Sequence, residues 1–209
     1  QAMIAVVKLK PAKEYLKSFF YVTGDAPAYQ MTDIMAGIRY LIRLSEELLK
    51  PLVICLGLGT SQGAHSGDSP LDSMLSVTNQ FRGIIGVSAA GNEAGRAHHY
   101  YGTALNSTEY NAVEILVKEG TRGFCAELWG QPPEVYAVGF ESPLGEVVQK
   151  IPPSLSYSEN ISFILENTKI FVSSEIIQTV SGSQLIFIRF TDPTPGSWKI
   201  REYTGNYNS

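Results

Sequence analysis

Asn92, at the end of the stretch VSAAGNE (residues 87–93), is the side chain best suited to chemistry. A run of small and β-branched residues leads into Gly91-Asn92, as a buried strand would lead into a loop. An amide held rigidly at the carboxyl edge of a parallel sheet can donate hydrogen bonds to charge that develops on a carbonyl oxygen. Amide hydrolysis generates such charge, and preorganised donors stabilise it. Open α/β sheets place their ligands at that same edge. Taken alone, Gly-Asn at a strand end also makes an ordinary turn, since both residues tolerate left-handed backbone angles.

Other polar groups have plainer readings. His98 and His99 are adjacent, so in extended chain they point to opposite faces and do not serve one metal ion. Both are expected to bond backbone near a joint in the chain. His65, in GAHSGDSP, falls in a polar loop. The stretch SGDSP superficially echoes the Gly-Asp-Ser-Gly of one serine protease class but lacks the second glycine. Ser69 there is read as a helix N-cap, with Pro70 in the first turn. Trp129, Trp198 and the many Tyr and Phe of the second half are read as core.

The elements that must position these groups follow from periodicity. IAVVKLK (4–10) reads as a short buried strand. TDIMAGIRYLIRLSEELLK (32–50) carries apolar residues at helical spacing, with Thr32 or Asp33 as N-cap and Pro51 as stop. PLVICLGLG (51–59) is a continuous apolar run of the kind found in a parallel strand covered on both faces. A helix from Ser69 and a third strand, IIGVSAAGN (84–92), complete a strand–helix alternation typical of a doubly wound layer. Beyond residue 108 the helical spacing disappears. Eight short, partly alternating segments follow, punctuated by Gly, Pro, Asn and Ser, and predict a β-sandwich, most economically a jelly roll. The expected fold is therefore a partial α/β domain over residues 1–107 followed by an all-β sandwich over 108–209, joined through YYGTALNSTEY.

Residues 51–102 resemble the subtilisin-like serine proteases. ICLGLGT is similar to that family's substrate-lining strand, SPLDSML…FRGIIGVSAAGNEAG to the helix and strand that end in Ala-Ala-Gly-Asn-Glu, and GIRYLI…KPLVI to the helix before them. The stretches KPLVICLGLGTSQGAHSGDSPLD and AAGNEAGRAHHYYG are most similar to the clostridial spore-germination type, which carries a jelly-roll insert just after this point. The resemblance implies that Asn92 is the oxyanion-hole residue and that Ala89, Ala90 and Gly91 wall the pocket for a substrate side chain. It also implies that Gly57, Leu58, Gly59 and Thr60 lie along the substrate backbone, which pairs with them as an added strand. Thr60 stands where the family more usually has glycine, which would narrow the pocket rim.

The same resemblance exposes a gap. A subtilisin-type triad runs Asp, His, Ser along the chain, yet no Asp-Ser/Thr-Gly, His-Gly-Thr or Gly-Thr-Ser motif occurs here. The expectation is a middle segment of a serine endopeptidase, inactive alone, whose partners are a peptide or protein substrate and the missing flanking parts of the protease domain. One alternative is a pseudoprotease kept as a binding scaffold. Another is a sandwich that acts as an independent carbohydrate- or protein-binding module.

Composition narrows the remaining classes. Sixteen basic against twenty acidic residues give a net charge of −4 with no basic stripe, which argues against a nucleic-acid partner. The longest apolar run is about half of what a bilayer span needs, so no membrane partner is expected. Cys55 and Cys125 are read as two buried reduced thiols, and no zinc-type spacing or dense acidic cluster implies a metal or cofactor. The N-terminus opens in a strand without a signal-like segment, which with the free thiols favours an intracellular or spore setting.

Overall fold

The computed structural model describes residues 2–102, 110–133, 135–151, 156–177 and 182–205. Two compact units emerge, Gln1–His98 and His99–Ser209. The first is mixed α/β and the second is built from antiparallel strands.

The first unit contains α1 (Glu14–Phe19), α2 (Met31–Leu48), β1 (Leu52–Leu56), α3 (Pro70–Thr78) and β2 (Ile84–Ser88). β1 and β2 pair in parallel, with Leu52 opposite Ile84 and Leu56 opposite Ser88. α2 packs on β1, α3 packs on β2, and the two helices touch. Ile54 and Ile38 are both 2% exposed and mark where helix and sheet meet. α3 starts as its sequence requires. Ser69 accepts from the Asp72 amide at 3.1 Å, and the Asp72 carboxylate accepts from the Ser69 amide at 3.2 Å, a reciprocal capping box.

Five expectations for this unit need correction. α2 begins one residue before Thr32, because the Gln30 carbonyl already accepts from the amides of Asp33 and Ile34. It ends before Pro51 is reached: Leu49 turns left-handed (φ 51°), and its amide returns to the Glu46 carbonyl. Residues 4–10 form no strand, pair with none among the described residues and are not buried; Ile4 is 91% exposed and Val6 83%. The β1–β2 sheet is also covered on one face only. Its other face presents Val53, Ile85 and Val87, each more than half exposed, and Cys55, so that Cys55 is not a buried thiol.

The second unit consists of two four-stranded antiparallel sheets, β3–β10–β5–β6 and β4–β9–β8–β7. Their strands are β3 (Tyr110–Val117), β4 (Gly123–Gly130), β5 (Val135–Glu141), β6 (Val147–Val148), β7 (Ser156–Ser162), β8 (Lys169–Ile176), β9 (Gln184–Thr191) and β10 (Gly196–Gly205). Alternation decides which residues face inward. Along β9, Gln184, Ile186, Ile188 and Phe190 are buried while the residues between them are half-exposed. Ile186, Ile188 and Phe190 share one core with Val138 and Phe140 of β5, Ile170 and Val172 of β8, and Trp198 and Ile200 of β10. Trp198 is wholly buried, edge-on to Phe163 and Phe190, and its indole N–H donates to the Thr194 carbonyl at 2.9 Å. Trp129 departs from the core expectation. It is half-buried, lies on the opposite side of β4 from the core-packed Leu128, and donates to Glu127 at 2.9 Å.

Two polar devices in this unit left no trace in the hydrophobic pattern. Glu146 accepts from the amides of Ile164 and Leu165, and Glu166 accepts from the amide of Leu144, so two loops clasp each other through carboxylates. At residues 130–184, Gln184 of one sheet bonds both backbone groups of Tyr136 in the other. Gly130 sits opposite Gln184, and a Cβ there would lie 2.2 Å from the Tyr136 ring, so only glycine fits.

Candidate functional site

The carboxyl edge of the β1–β2 pair positions the candidate residues. The two strands run parallel and in register, so the segments following Leu56 and Ser88 leave the sheet side by side. The Ala89 amide donates to the Leu56 carbonyl at 3.0 Å and extends the pairing one step past the strand ends. Gly57, Leu58, Gly59 and Thr60 therefore emerge beside Ala89, Ala90, Gly91 and Asn92. All eight residues are exposed.

Local geometry explains the residue types. Gly91 adopts φ 85°, a left-handed angle that turns the chain off the strand axis just before Asn92. A Cβ at Gly57, Gly59 or Gly91 would meet nothing within 4 Å, so these glycines keep an open surface over which another backbone can approach. Thr60 turns its hydroxyl into its own loop, where it accepts from the Gln62 amide at 3.1 Å. Among the described residues the Asn92 side chain has no hydrogen-bond partner, and its donors remain available. β2 itself is held from behind: the Gly86 amide donates to Asn79 Oδ1, at the end of α3, at 2.6 Å. This helix-to-strand clamp steadies the strand that delivers Asn92, and the sequence reading missed it because a polar residue at a helix end has many ordinary uses.

The neighbouring histidines are occupied elsewhere. His98 Nδ1 lies 3.3 Å from a Glu93 carboxylate oxygen that also faces Arg96 Nε at 3.4 Å, so the chain after Asn92 closes into a small exposed ion-pair turn. That contact is to a side chain and not to the expected backbone. His65, at φ 54° in an exposed loop, approaches the Ser61 carbonyl at 3.4 Å. Ser69 is spent as the cap of α3. Among the described residues no three His, Cys, Asp or Glu side chains gather as a metal site requires. Cys125, in the second unit, is half-buried, and burial pushes its thiol up to about 11.

The geometry thus brings together two extended segments and one amide donor at a parallel-sheet edge. No family model matches the sequence, and no curated protein matches it. Among solved structures, the chain is similar to the Clostridium perfringens CspB protease, with a TM-score of 0.73 and 26% sequence identity over 87% of this chain. The matched region is 38% of that protein's chain, so this chain spans well under half the length of the protease it matches. The likeness supports a subtilase-like fold and a protease-related segment.

Proposed function

We propose that this chain is the middle part of a subtilisin-like serine endopeptidase. In this reading it supplies the oxyanion donor Asn92 and the two segments that hold the substrate backbone. The observation that carries the reading is the adjacency of residues 57–60 and 89–92 at the carboxyl edge of one parallel pair, with no partner for the Asn92 side chain among the described residues. A substrate strand laid along residues 57–60 would place its scissile carbonyl near the Gly91-Asn92 turn. A serine from outside this chain would attack that carbonyl, a histidine would take the serine's proton, and Asn92 would stabilise the oxyanion. Ala89, Ala90 and Gly91 would wall the pocket beside it, their small side chains leaving room for a substrate residue.

The sandwich is read as a jelly-roll insert over residues 108–209, since the outermost pairs, β3–β10 and β4–β9, nest around the inner strands. It would brace or restrict the site and not perform chemistry. With its triad elsewhere, the chain alone is inactive. Purified residues 1–209 should neither cleave a peptide library nor react with a serine-directed phosphonate, whereas the full-length gene product should do both. Phosphonate-sensitive cleavage by the isolated chain would sink the segment reading, and a full-length product inert to both would favour a pseudoprotease scaffold.

A further inference from the structure

β2 delivers Asn92, and its pairing with β1 uses only every second amide. The Ala89 amide donates to the Leu56 carbonyl at 3.0 Å, so by alternation the amides of Ile85 and Val87 face β1 as well, and those of Gly86 and Ser88 face away from it. The Gly86 amide finds its acceptor in a side chain, Asn79 Oδ1, 2.6 Å away. Asn79 is the C-cap of α3, where its own amide donates to the Leu75 carbonyl at 2.9 Å. The carboxamide is therefore carried on a helix end whose backbone is already closed.

Gly86 is what admits it. A Cβ there would lie 3.2 Å from Asn79 Oδ1, 3.7 Å from Asn79 Nδ2 and 3.4 Å from Leu75 Cδ2. Gly86 does not have a left-handed φ, so close approach of the carboxamide, and not backbone freedom, accounts for a glycine in this strand. The clamp also makes α3 a strut. Its N-terminus is fixed by the Ser69–Asp72 capping box, at the end of the loop that follows Gly57–Thr60. Its C-terminus is tied to β2 just before Ala89. The two segments of the candidate site are thus joined through one helix as well as to each other.

We propose that Asn79 is a positioning residue for the oxyanion donor: through Gly86 it sets where β2 ends, and so where Asn92 presents its amide. This rests on reading Asn92 as that donor. A displaced donor lowers kcat, because it acts on charge present only in the transition state. KM is set by residues 57–60 on β1, which the clamp does not touch, and should hold. A misplacement of about 1 Å can cost about 100-fold, and a strand still paired with β1 moves less, so a loss of about tenfold is expected.

The test compares Asn79→Ala, Gly86→Ala and the two combined, with Asn79→Asp as the replacement that keeps the acceptor. In residues 1–209, followed by NMR, Asn79→Ala should speed exchange of the Gly86 amide at least about tenfold and shift the amide resonances of Gly91 and Asn92. Asn79→Asp should leave both near the parent. Gly86→Ala, whose methyl pushes the carboxamide off, should shift Gly91 and Asn92 as Asn79→Ala does. The double variant should be no worse than either single one, because both break the same contact. In the full-length gene product the same pattern should appear in peptide turnover: kcat about tenfold lower in all three, near the parent in Asn79→Asp, and KM within about twofold throughout. Unchanged Gly91 and Asn92 resonances in Asn79→Ala would overturn the proposal, whether or not the full-length product cleaves peptides. Additive losses in the double variant, or a fall in kcat that Asn79→Asp does not rescue, would overturn it too. A full-length product without turnover would count against the protease reading, while the resonances of residues 1–209 would still decide the clamp.

Discussion

Gln184 offers the sharpest test of how the sandwich is held closed. Its side chain is 1% exposed. Its oxygen accepts from the Tyr136 amide at 2.7 Å, and its NH2 group donates to the Tyr136 carbonyl at 3.0 Å and to Ser174 Oγ at 2.9 Å. The carboxamide thus acts as a surrogate strand for the edge of β5. Removing it in Gln184→Ala strands two backbone groups, each costing about 1–3 kcal/mol when left unpaired. Tyr136 is only half-buried, so water recovers part of that, and a loss of about 2–4 kcal/mol is expected. Gln184→Glu preserves shape and the accepted bond, but sets an ionised carboxylate against the Tyr136 carbonyl. Burial then raises that carboxyl above its unfolded value, so the native variant binds more protons than the unfolded one. Its stability must fall as pH rises from about 4 toward 7. Once protonated, the group can donate to the carbonyl again, and the variant should approach the parent at about pH 4. Urea titration followed by tryptophan fluorescence reads this directly, since both tryptophans of the chain, Trp129 and Trp198, lie in the sandwich. An alanine variant within about 0.5 kcal/mol of the parent, or a glutamate variant without this pH dependence, would refute the clamp.

Two further outcomes follow from titratable groups. Burial raises Glu202 above the ordinary carboxylate range, against a hydrogen bond from Asn111 that lowers it. Its contribution to stability is greatest below the unfolded pKa and is lost as pH rises through the folded one, so Glu202→Gln should raise the melting temperature at pH 7. That gain should vanish below about pH 4, and a gain independent of pH would contradict the assignment. The thiols should also separate. At pH 8 Cys55, exposed on the open sheet face, should react with a disulfide reagent at least tenfold faster than Cys125, whose thiol is held near 11; equal rates would contradict the burial seen here.

The parts of the fold that were legible in the sequence are those specified locally. Ser69 and Pro70 announce the start of α3 because the cap is made within four residues, to which the structure adds Asp72. The apolar runs of β1 and β2 and the punctuation between the sandwich strands mark their elements for the same reason. What depends on distant partners was hidden. Residues 4–10 carry a strand's composition, but composition does not say whether a neighbour is present. The end of β7 at Ser162 was hidden too, because Phe163 packs edge-on to Trp198 while Ile164 and Leu165 donate their amides to Glu146. The candidate site was half legible. Its residue types point to the sheet edge, whereas the Asn79 clamp behind β2 and the Glu93 turn beyond Asn92 appear only in three dimensions.

The most direct measurement is the turnover of Asn92→Ala in the full-length gene product with a peptide substrate. Removing one oxyanion donor costs about 100- to 1000-fold in kcat, a magnitude that belongs to subtilisin's own asparagine. The expected result is a fall of that order with KM nearly unchanged, since the donor acts on charge present only in the transition state. A kcat within threefold of the parent would contradict the role assigned to Asn92 and leave the Gly91-Asn92 turn a turn.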